Sequence, residues 1–253
     1  MALAQGRYRF NGTALVPLEI DSQLPLYVAD SWLTTDGAAV ALGRHFARFA
    51  SSADAQGLVQ PVDDFLAAAR EAVPSTGEWF PRIELTVRGE LQLSLRPAPP
   101  LTKTVSLWNA PRDPRTEPTI KGPDIPALEE LRELARAAGA TEPVIVSAEG
   151  FVIDGATTCL LWWRDGILFT PPSDLARVDS VTVSVLRDIA EEAGVRVTEA
   201  RVRPLDLVGS EVWAVNALHG IRPAVSWVAG PELTVDEVRL EMWRGWYESR
   251  RQS

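Results

Sequence analysis

Lysine is scarce in this chain. Lys103 and Lys121 are the two lysines among 25 basic side chains, the rest being arginine. The difference is chemical: arginine stays protonated, whereas a buried lysine can give up its proton and act as a nucleophilic amine. Lys121 lies in Thr119-Ile120-Lys121-Gly122-Pro123-Asp124, where a short apolar-leaning step meets a Gly-Pro turn. A strand end or loop of that kind can turn a side chain into a cleft, and the local residues equally suit a surface loop lysine. His45 and Arg48 form a second pattern, because three residues of helix place both on one face.

Other chemistry is excluded by what the sequence omits. There is no G-x-x-x-x-G-K phosphate loop, no G-x-G-x-x-G fingerprint and no G-x-S-x-G elbow. Carboxylates are numerous, but no pair can be placed face to face from their spacing, so glycoside hydrolysis has no support. Two histidines and one cysteine argue against a zinc site, and no metal is expected. A formal net charge of -9 and a pI of about 4.9 argue against nucleic acid or an anionic membrane as the main partner. Cys159 stands alone, which fits a reducing compartment. No apolar run approaches the roughly 20 residues of a membrane span, and the N-terminus lacks a signal-peptide pattern. The expectation is a soluble, cytoplasmic protein.

With 253 residues, 46% of them hydrophobic, the chain can build one large core or two. Arg7 to Ile20 breaks at Asn11-Gly12, a hairpin signal. Leu26–Leu33 and Ala38–Leu42 read as strands around the turn Thr35-Asp36-Gly37. From Gly43 the period becomes helical through His45, Phe46, Phe49 and Ala53, and a second helix runs over Asp63–Val73 to Pro74. Arg82–Leu95 alternates as a hairpin, and Leu101–Leu107 is a further strand. The Pro-, Arg- and Asp-rich stretch 109–118 reads as a linker between a domain at 1–108 and one at 119–253. After Lys121 a helix is expected with Asp124 as cap and Pro126 in its first turn. Its apolar stripe would be Leu128, Leu131, Leu134, Ala135 and Ala138, with Gly139 at its end. Strands follow at Pro143–Ser147, Phe151–Asp154, Cys159–Trp163 and Ile167–Thr170. A helix is expected over Ser180–Gly194, then strands at Val195–Leu205, Val212–Asn216 and Ala224–Val228. Leu233–Tyr247 closes the chain as an amphipathic helix with Val235, Val238, Leu240, Met242 and Trp246 along its stripe. Hairpin turns outnumber βαβ patterns, so the fold class is mixed α/β (α+β) with largely antiparallel sheets and flanking helices.

An ordered set of short motifs adds to this. Thr119-Ile120-Lys121-Gly122, then Gly150-Phe151-Val152-Ile153-Asp154-Gly155-Ala156, then Leu168-Phe169-Thr170-Pro171-Pro172 follow one another. Ser180-Val181-Thr182 and Asn216-Ala217-Leu218 with Pro223 continue the order, and Asp30–Thr35 with His45-Phe46-Ala47-Arg48-Phe49 extend it weakly upstream. The set resembles the class IV aminotransferases. These are the fold-type IV enzymes of pyridoxal 5'-phosphate (PLP), which include branched-chain and D-amino-acid aminotransferases and 4-amino-4-deoxychorismate lyases. The resemblance implies a two-domain chain, PLP as cofactor, an amino or oxo acid as substrate, and a homodimer. It implies Lys121 as the Schiff-base lysine and catalytic base. It assigns the cofactor's phosphate to Arg48, to the helix start at Ser180, Val181 and Thr182, and to the turn at Asn216 and Ala217. Asp154 would face the pyridine nitrogen.

This chain departs from the family pattern in three places. Asp154 stands where glutamate is usual, one methylene shorter. Cys159 stands where asparagine is common, and reads as a core thiol. No tyrosine follows Lys121 closely, as it does in branched-chain enzymes, and Asn216-Ala217-Leu218 with Trp162-Trp163-Arg164 look closer to the lyases. Trp32, His219 and Arg222 are the residues suited to line a substrate cleft, with packing or surface roles as the alternative. The two catalytic readings are therefore transamination and lyase release of pyruvate and 4-aminobenzoate. A PLP-binding scaffold without catalysis is the reading from another class.

Overall fold

A computed structural model of the chain describes residues 3–18, 24–57 and 60–252. Its contacts divide the chain into two units. One comprises residues up to Leu101 with Ile120–Pro123 and the segment from Arg250; the other comprises Thr102–Thr119 and Asp124–Ser249. Residues 109–118, read as a linker from composition, thus lie in the second unit, while Lys121 belongs with the first. The end of the first expected hairpin, Ile20, lies outside the described residues.

In the first unit, β1 (Gly6–Phe10) and β2 (Leu15–Pro17) form the hairpin signalled by Asn11-Gly12. β3 (Leu26–Ser31), β4 (Thr34–Thr35) and β5 (Ala38–Val40) lead into helices α1 (Leu42–Ala55) and α2 (Val62–Ala72). β6 (Glu78–Trp79), β7 (Arg82–Thr86) and β8 (Leu91–Leu95) follow. The main sheet runs β2-β1-β8-β7-β3, every pair antiparallel. A smaller sheet joins β6, β4 and β5 to the C-terminal pair Arg251–Gln252. Alternation explains the main sheet: Ile83 and Leu85 of β7 and Leu91, Leu93 and Leu95 of β8 enter the core with Phe49, Phe65 and Ala69 of the helices. On α1 the buried residues are His45, Phe49 and Ala53, spaced four apart, so the polar side chain of His45 lies on the core stripe.

In the second unit the order is β9 (Val105–Asn109), α3 (Ile125–Ala137), β10 (Glu142–Val146), β11 (Val152–Gly155), β12 (Cys159–Arg164) and β13 (Ile167–Thr170). It continues with α4 (Val181–Glu192), β14 (Val197–Glu199), β15 (Glu211–Asn216), β16 (Gly220–Val228) and α5 (Glu237–Glu248). Eight strands make one sheet in the order β11-β10-β9-β16-β15-β12-β13-β14. Three of its pairings, β9 with β10, β9 with β16 and β13 with β14, are parallel, and the rest are antiparallel. The mixed, mainly antiparallel class read from the hairpin turns holds. At the β12–β13 turn both Asp165 (φ 52) and Gly166 (φ 74) are left-handed, the twist a tight hairpin needs.

Several local expectations change. Asp124 precedes α3 but makes no side-chain cap; its Oδ1 instead accepts from the N–H and Oγ1 of Thr116, and its Oδ2 from the Glu117 N–H. Those bonds tie the strand of chain before Lys121 to the helix after it. Leu134 is 52% exposed, and the buried residues of α3 are Leu131 and Ala135. The expected strand 195–205 shrinks to Val197–Glu199, and a 3-10 turn forms at Pro204–Leu207, where proline cannot donate to a ladder. On α5 the stripe is Leu240, Trp243 and Tyr247, and Val238 is exposed, because Trp243 packs edge-on against Trp163 and Trp213 and sets the rotation of the helix.

Candidate active site

The residues singled out in the sequence fall into groups that each unit assembles locally. In the first unit, β3 and α1 bring Asp30, His45 and Arg48 together. Arg48 donates from Nε to Asp30 Oδ2 and from Nη2 to Oδ1, each at 2.8 Å. His45 Nδ1 lies 2.8 Å from the same Oδ1, which also accepts the Ser31 N–H at 2.7 Å. Burial alone would raise the Asp30 carboxyl, but the His45 bond and the charges of Arg48 and Lys121 outweigh it and hold the group below its ordinary range. His45 moves down: burial disfavours its charged form, and the cations Arg48 and Lys121 add to that against the pull of Asp30.

Lys121 joins this group through its backbone as well as its charge. The Ala29 N–H donates to the Lys121 carbonyl at 2.6 Å, laying the lysine segment along β3 beside Asp30. Gly122 makes that approach possible. A Cβ there would stand 2.9 Å from Ala29 N and from the Cα and C of Val28, and its φ of +145 is one that side chains avoid. The Gly-Pro turn of the sequence is thus a steric requirement of the lysine's position. Trp32, considered for substrate contact, is 1% exposed in the core, edge-on to Phe46 with its Nε1 enclosed and unbonded.

In the second unit, Asp154 is the penultimate residue of β11, Cys159 begins β12, and Ser180 caps α4. The Cys159 thiol hydrogen-bonds with both Ser180 and Asp154. Asp154 is 8% exposed, and its Oδ1 is enclosed without a partner among the described residues. Burial pushes its carboxyl up to about 7, against the Cys159 bond and the charges of Arg115 and Arg177. Burial, and then the Asp154 charge, push the Cys159 thiol well above its ordinary value, so it is a donor and no thiolate nucleophile. Arg177 holds the approach to α4: Nη1 donates to the Pro172 carbonyl at 2.6 Å and Nη2 to that of Pro171 at 2.7 Å.

The start of α4 is built as an anion site would be. Ser180 Oγ accepts from the Val183 N–H at 3.3 Å, and the side chains of Val181 and Thr182 are buried. The N–H groups of a first helical turn have no partners within the helix, and the dipole adds positive character. Asn216 has a different local role. Its Oδ1 accepts from the His219 N–H at 2.8 Å and the Leu218 N–H at 3.2 Å, and its Nδ2 donates to the Thr157 carbonyl at 3.1 Å. The side chain therefore closes its own turn. Beyond it, His219 Nδ1 accepts from the Thr102 N–H at 3.3 Å, and Arg222 donates to Thr102 Oγ1 at 3.0 Å.

Three neighbours were not singled out from sequence. Asp30 had a signal, a lone carboxylate in an apolar strand, which must be paired if buried. Arg115 and Arg177 lie in irregular Pro-rich segments where spacing carries no information. Among the described residues no three His, Cys, Asp or Glu side chains are grouped to hold a metal, and no helix is long and apolar enough to cross a membrane.

Comparison with known proteins agrees with the residue order. The profile of the amino-transferase class IV family matches residues 27–227, and the chain belongs to that family, whose cofactor is PLP. The branched-chain-amino-acid aminotransferase of Escherichia coli strain K12 is 32% identical over 97 residues, 38% of this chain and 31% of that protein. The matched stretch thus spans under a third of that relative's length. A solved aminotransferase from Brucella abortus bound to PLP superposes with a TM-score of 0.79 at 20% identity, covering 96% of this chain and 98% of the other. A putative 4-amino-4-deoxychorismate lyase from Legionella pneumophila superposes at 0.77 with 15% identity, covering 92% and 97%. These likenesses show the fold-type IV architecture.

Proposed function

We propose that the protein is a PLP-dependent aminotransferase acting on an amino-carboxylic acid, with Lys121 as its catalytic residue. The observation that carries this reading is the open Oδ1 of Asp154. A buried carboxylate with a vacant acceptor calls for a donor, and a protonated pyridine nitrogen is one. The shorter aspartate, braced by the Cys159 thiol, still offers the carboxylate that the cofactor needs.

Bound PLP supplies an electron-withdrawing ring that makes the substrate Cα–H acidic. Asp154 would pair with the ring nitrogen and keep it protonated. Lys121 would hold the cofactor through its amine, and its Nζ would serve as the base that takes and returns the Cα proton. The residues that would hold the phosphate are the N–H groups at Ser180, Val181 and Thr182, the backbone of Asn216 and Ala217, and the guanidinium of Arg48. Asp30 and His45 fix the Arg48 fork. His219 and Arg222 face substrate, whereas Trp32 acts through packing. The reading carries with it a homodimer in the cytoplasm.

Borohydride reduction of the PLP-loaded protein tests it. Peptide mass spectrometry should place the reduced cofactor on Lys121, and Lys121→Ala and Lys121→Arg should both lose the adduct. An adduct that survives in either variant would refute the assignment. Assays with oxo-acid and 4-aminobenzoate readouts then separate transamination from the lyase reaction. An adduct on Lys121 with no turnover in either assay would favour a PLP-binding scaffold.

A further inference from the structure

Taking a carboxylate out of water is costly unless hydrogen-bond donors surround it, so the donors around a buried glutamate show what it holds in place. Glu142, on β10, is 1% exposed. Among the described residues its hydrogen bonds all come from loop 155–158. Oε1 accepts from the Thr157 N–H at 2.7 Å and from Thr158 Oγ1 at 3.0 Å, and Oε2 accepts from Thr157 Oγ1 at 2.9 Å.

That loop is the connection between Asp154 on β11 and Cys159 on β12. β10 and β11 are antiparallel with Val144 opposite Gly155, so the same register carried onward sets Thr157 opposite Glu142. The Gly155 N–H donates to the Thr158 carbonyl at 2.8 Å and closes the loop into a tight turn. A Cβ on Gly155 would stand 2.4 Å from Thr158 Oγ1 and 2.6 Å from Glu142 Oε1, so the carboxylate packs against the backbone of the residue that follows Asp154. The Thr157 carbonyl is held as well, by Asn216 Nδ2 at 3.1 Å. The loop is thus fixed at its N–H groups, its carbonyls and both hydroxyls, and its ends set how the Cys159 thiol meets the Asp154 carboxylate.

We infer that Glu142 is a positioning residue for the partner of the ring nitrogen: its carboxylate clamps loop 155–158 and thereby sets the contact between Cys159 and Asp154. The inference rests on the aminotransferase reading and deepens it. Glu142 has no part in binding cofactor or substrate and moves no proton; it acts through the loop.

Glu142→Gln tests this, because it keeps the shape and turns one acceptor oxygen into an NH2 group that cannot receive the threonine bonds. Cys159 is the one cysteine of the chain, so alkylation of the apoprotein reports on this contact alone. A thiol released from Asp154 ionises more readily, and labelling by iodoacetamide at pH 8 should quicken about tenfold as the thiolate fraction rises. Turnover of the holoenzyme should fall about tenfold. In an Asp154→Asn background the same change should add little to either effect, since the contact is already lost, whereas a fold-wide defect would add in full. Unchanged labelling in Glu142→Gln, or a full additional effect in the Asp154→Asn background, would overturn the inference. Thr158→Val removes a single donor from the carboxylate and keeps the test intact if Glu142→Gln fails to fold. It should quicken labelling by a smaller factor, and labelling at the wild-type rate would equally overturn the inference. The labelling needs no cofactor, so failure of the aminotransferase reading is distinct: it appears as absence of the borohydride adduct on Lys121 in the wild type.

Discussion

The carboxylate of Asp30 and the guanidinium of Arg48 meet as a fork, with two hydrogen bonds of 2.8 Å between a β-strand and the helix packed on it. Asp30 is fully buried and the Arg48 side chain is 17% exposed, which makes this pair unlike a surface salt bridge. Asp30→Asn keeps the shape and removes the charge. It leaves Arg48 without its counter-ion, and unfolding in urea should show a loss of roughly 3–5 kcal/mol at pH 7. The folded carboxyl is held below its ordinary value, so its contribution is complete above the normal carboxylate range and is lost as pH falls through the folded pKa. The gap between wild type and Asp30→Asn should therefore narrow in strong acid. An equal gap at pH 7 and pH 2 would show that the charge is not what matters.

Asp154 predicts the opposite pH trend. Its carboxyl moves from an ordinary 3.8 to about 7 on folding, so the folded apoprotein binds a proton more tightly than the unfolded chain. Stability falls as pH rises from about 4 to 7, and above that the buried charge costs roughly 4 kcal/mol. Asp154→Asn carries no such charge. Thermal melts of the two apoproteins should show the variant gaining on wild type as pH rises from 5 to 8. With PLP present the advantage should shrink, because the ring nitrogen pairs the wild-type charge. Turnover of the variant should drop sharply, each 1.36 kcal/mol on the barrier being about tenfold.

Gly122→Ala is a steric test of the lysine segment. The added methyl would meet three backbone atoms of Val28 and Ala29 at 2.9 Å, and neither strand nor loop can yield as a side chain would. The 2.6 Å bond from Ala29 to the Lys121 carbonyl should break. A loss of at least roughly 1–3 kcal/mol is expected, together with weaker PLP retention measured by dialysis. Wild-type stability and retention would mean that the segment can lift off β3 without consequence.

Ser180→Ala removes the cap of α4 and a partner of the Cys159 thiol. The cap accounts for about 1 kcal/mol of stability. PLP affinity, followed by fluorescence, should fall beyond what the stability change explains, since the first-turn N–H groups lose their fixed aim. Ser180→Thr keeps the oxygen and should restore both. Loss of stability with unchanged PLP affinity would make Ser180 a cap alone.

Much of this protein was legible in its sequence, because the relevant signals are local. The alternation in Arg82–Leu95 predicts the β7–β8 hairpin, and the helical period from Gly43 predicts α1. The scarcity of lysine points to Lys121, and the ordered motifs around Asp154, Ser180 and Asn216 point to the family. What tertiary structure decided concerns burial and pairing between distant residues. Sequence cannot say that Asp30 will capture Arg48, that Asp124 will turn from its helix to Thr116, or that Asp154 will keep one oxygen unmatched. Nor can it rotate α5 so that Trp243 faces inward and Val238 outward, since a cluster of tryptophans from three elements sets that choice. Periodicity fixes which residues share a face of one element. Which face is covered, and which polar atom finds a partner there, depends on how elements far apart in the chain pack together.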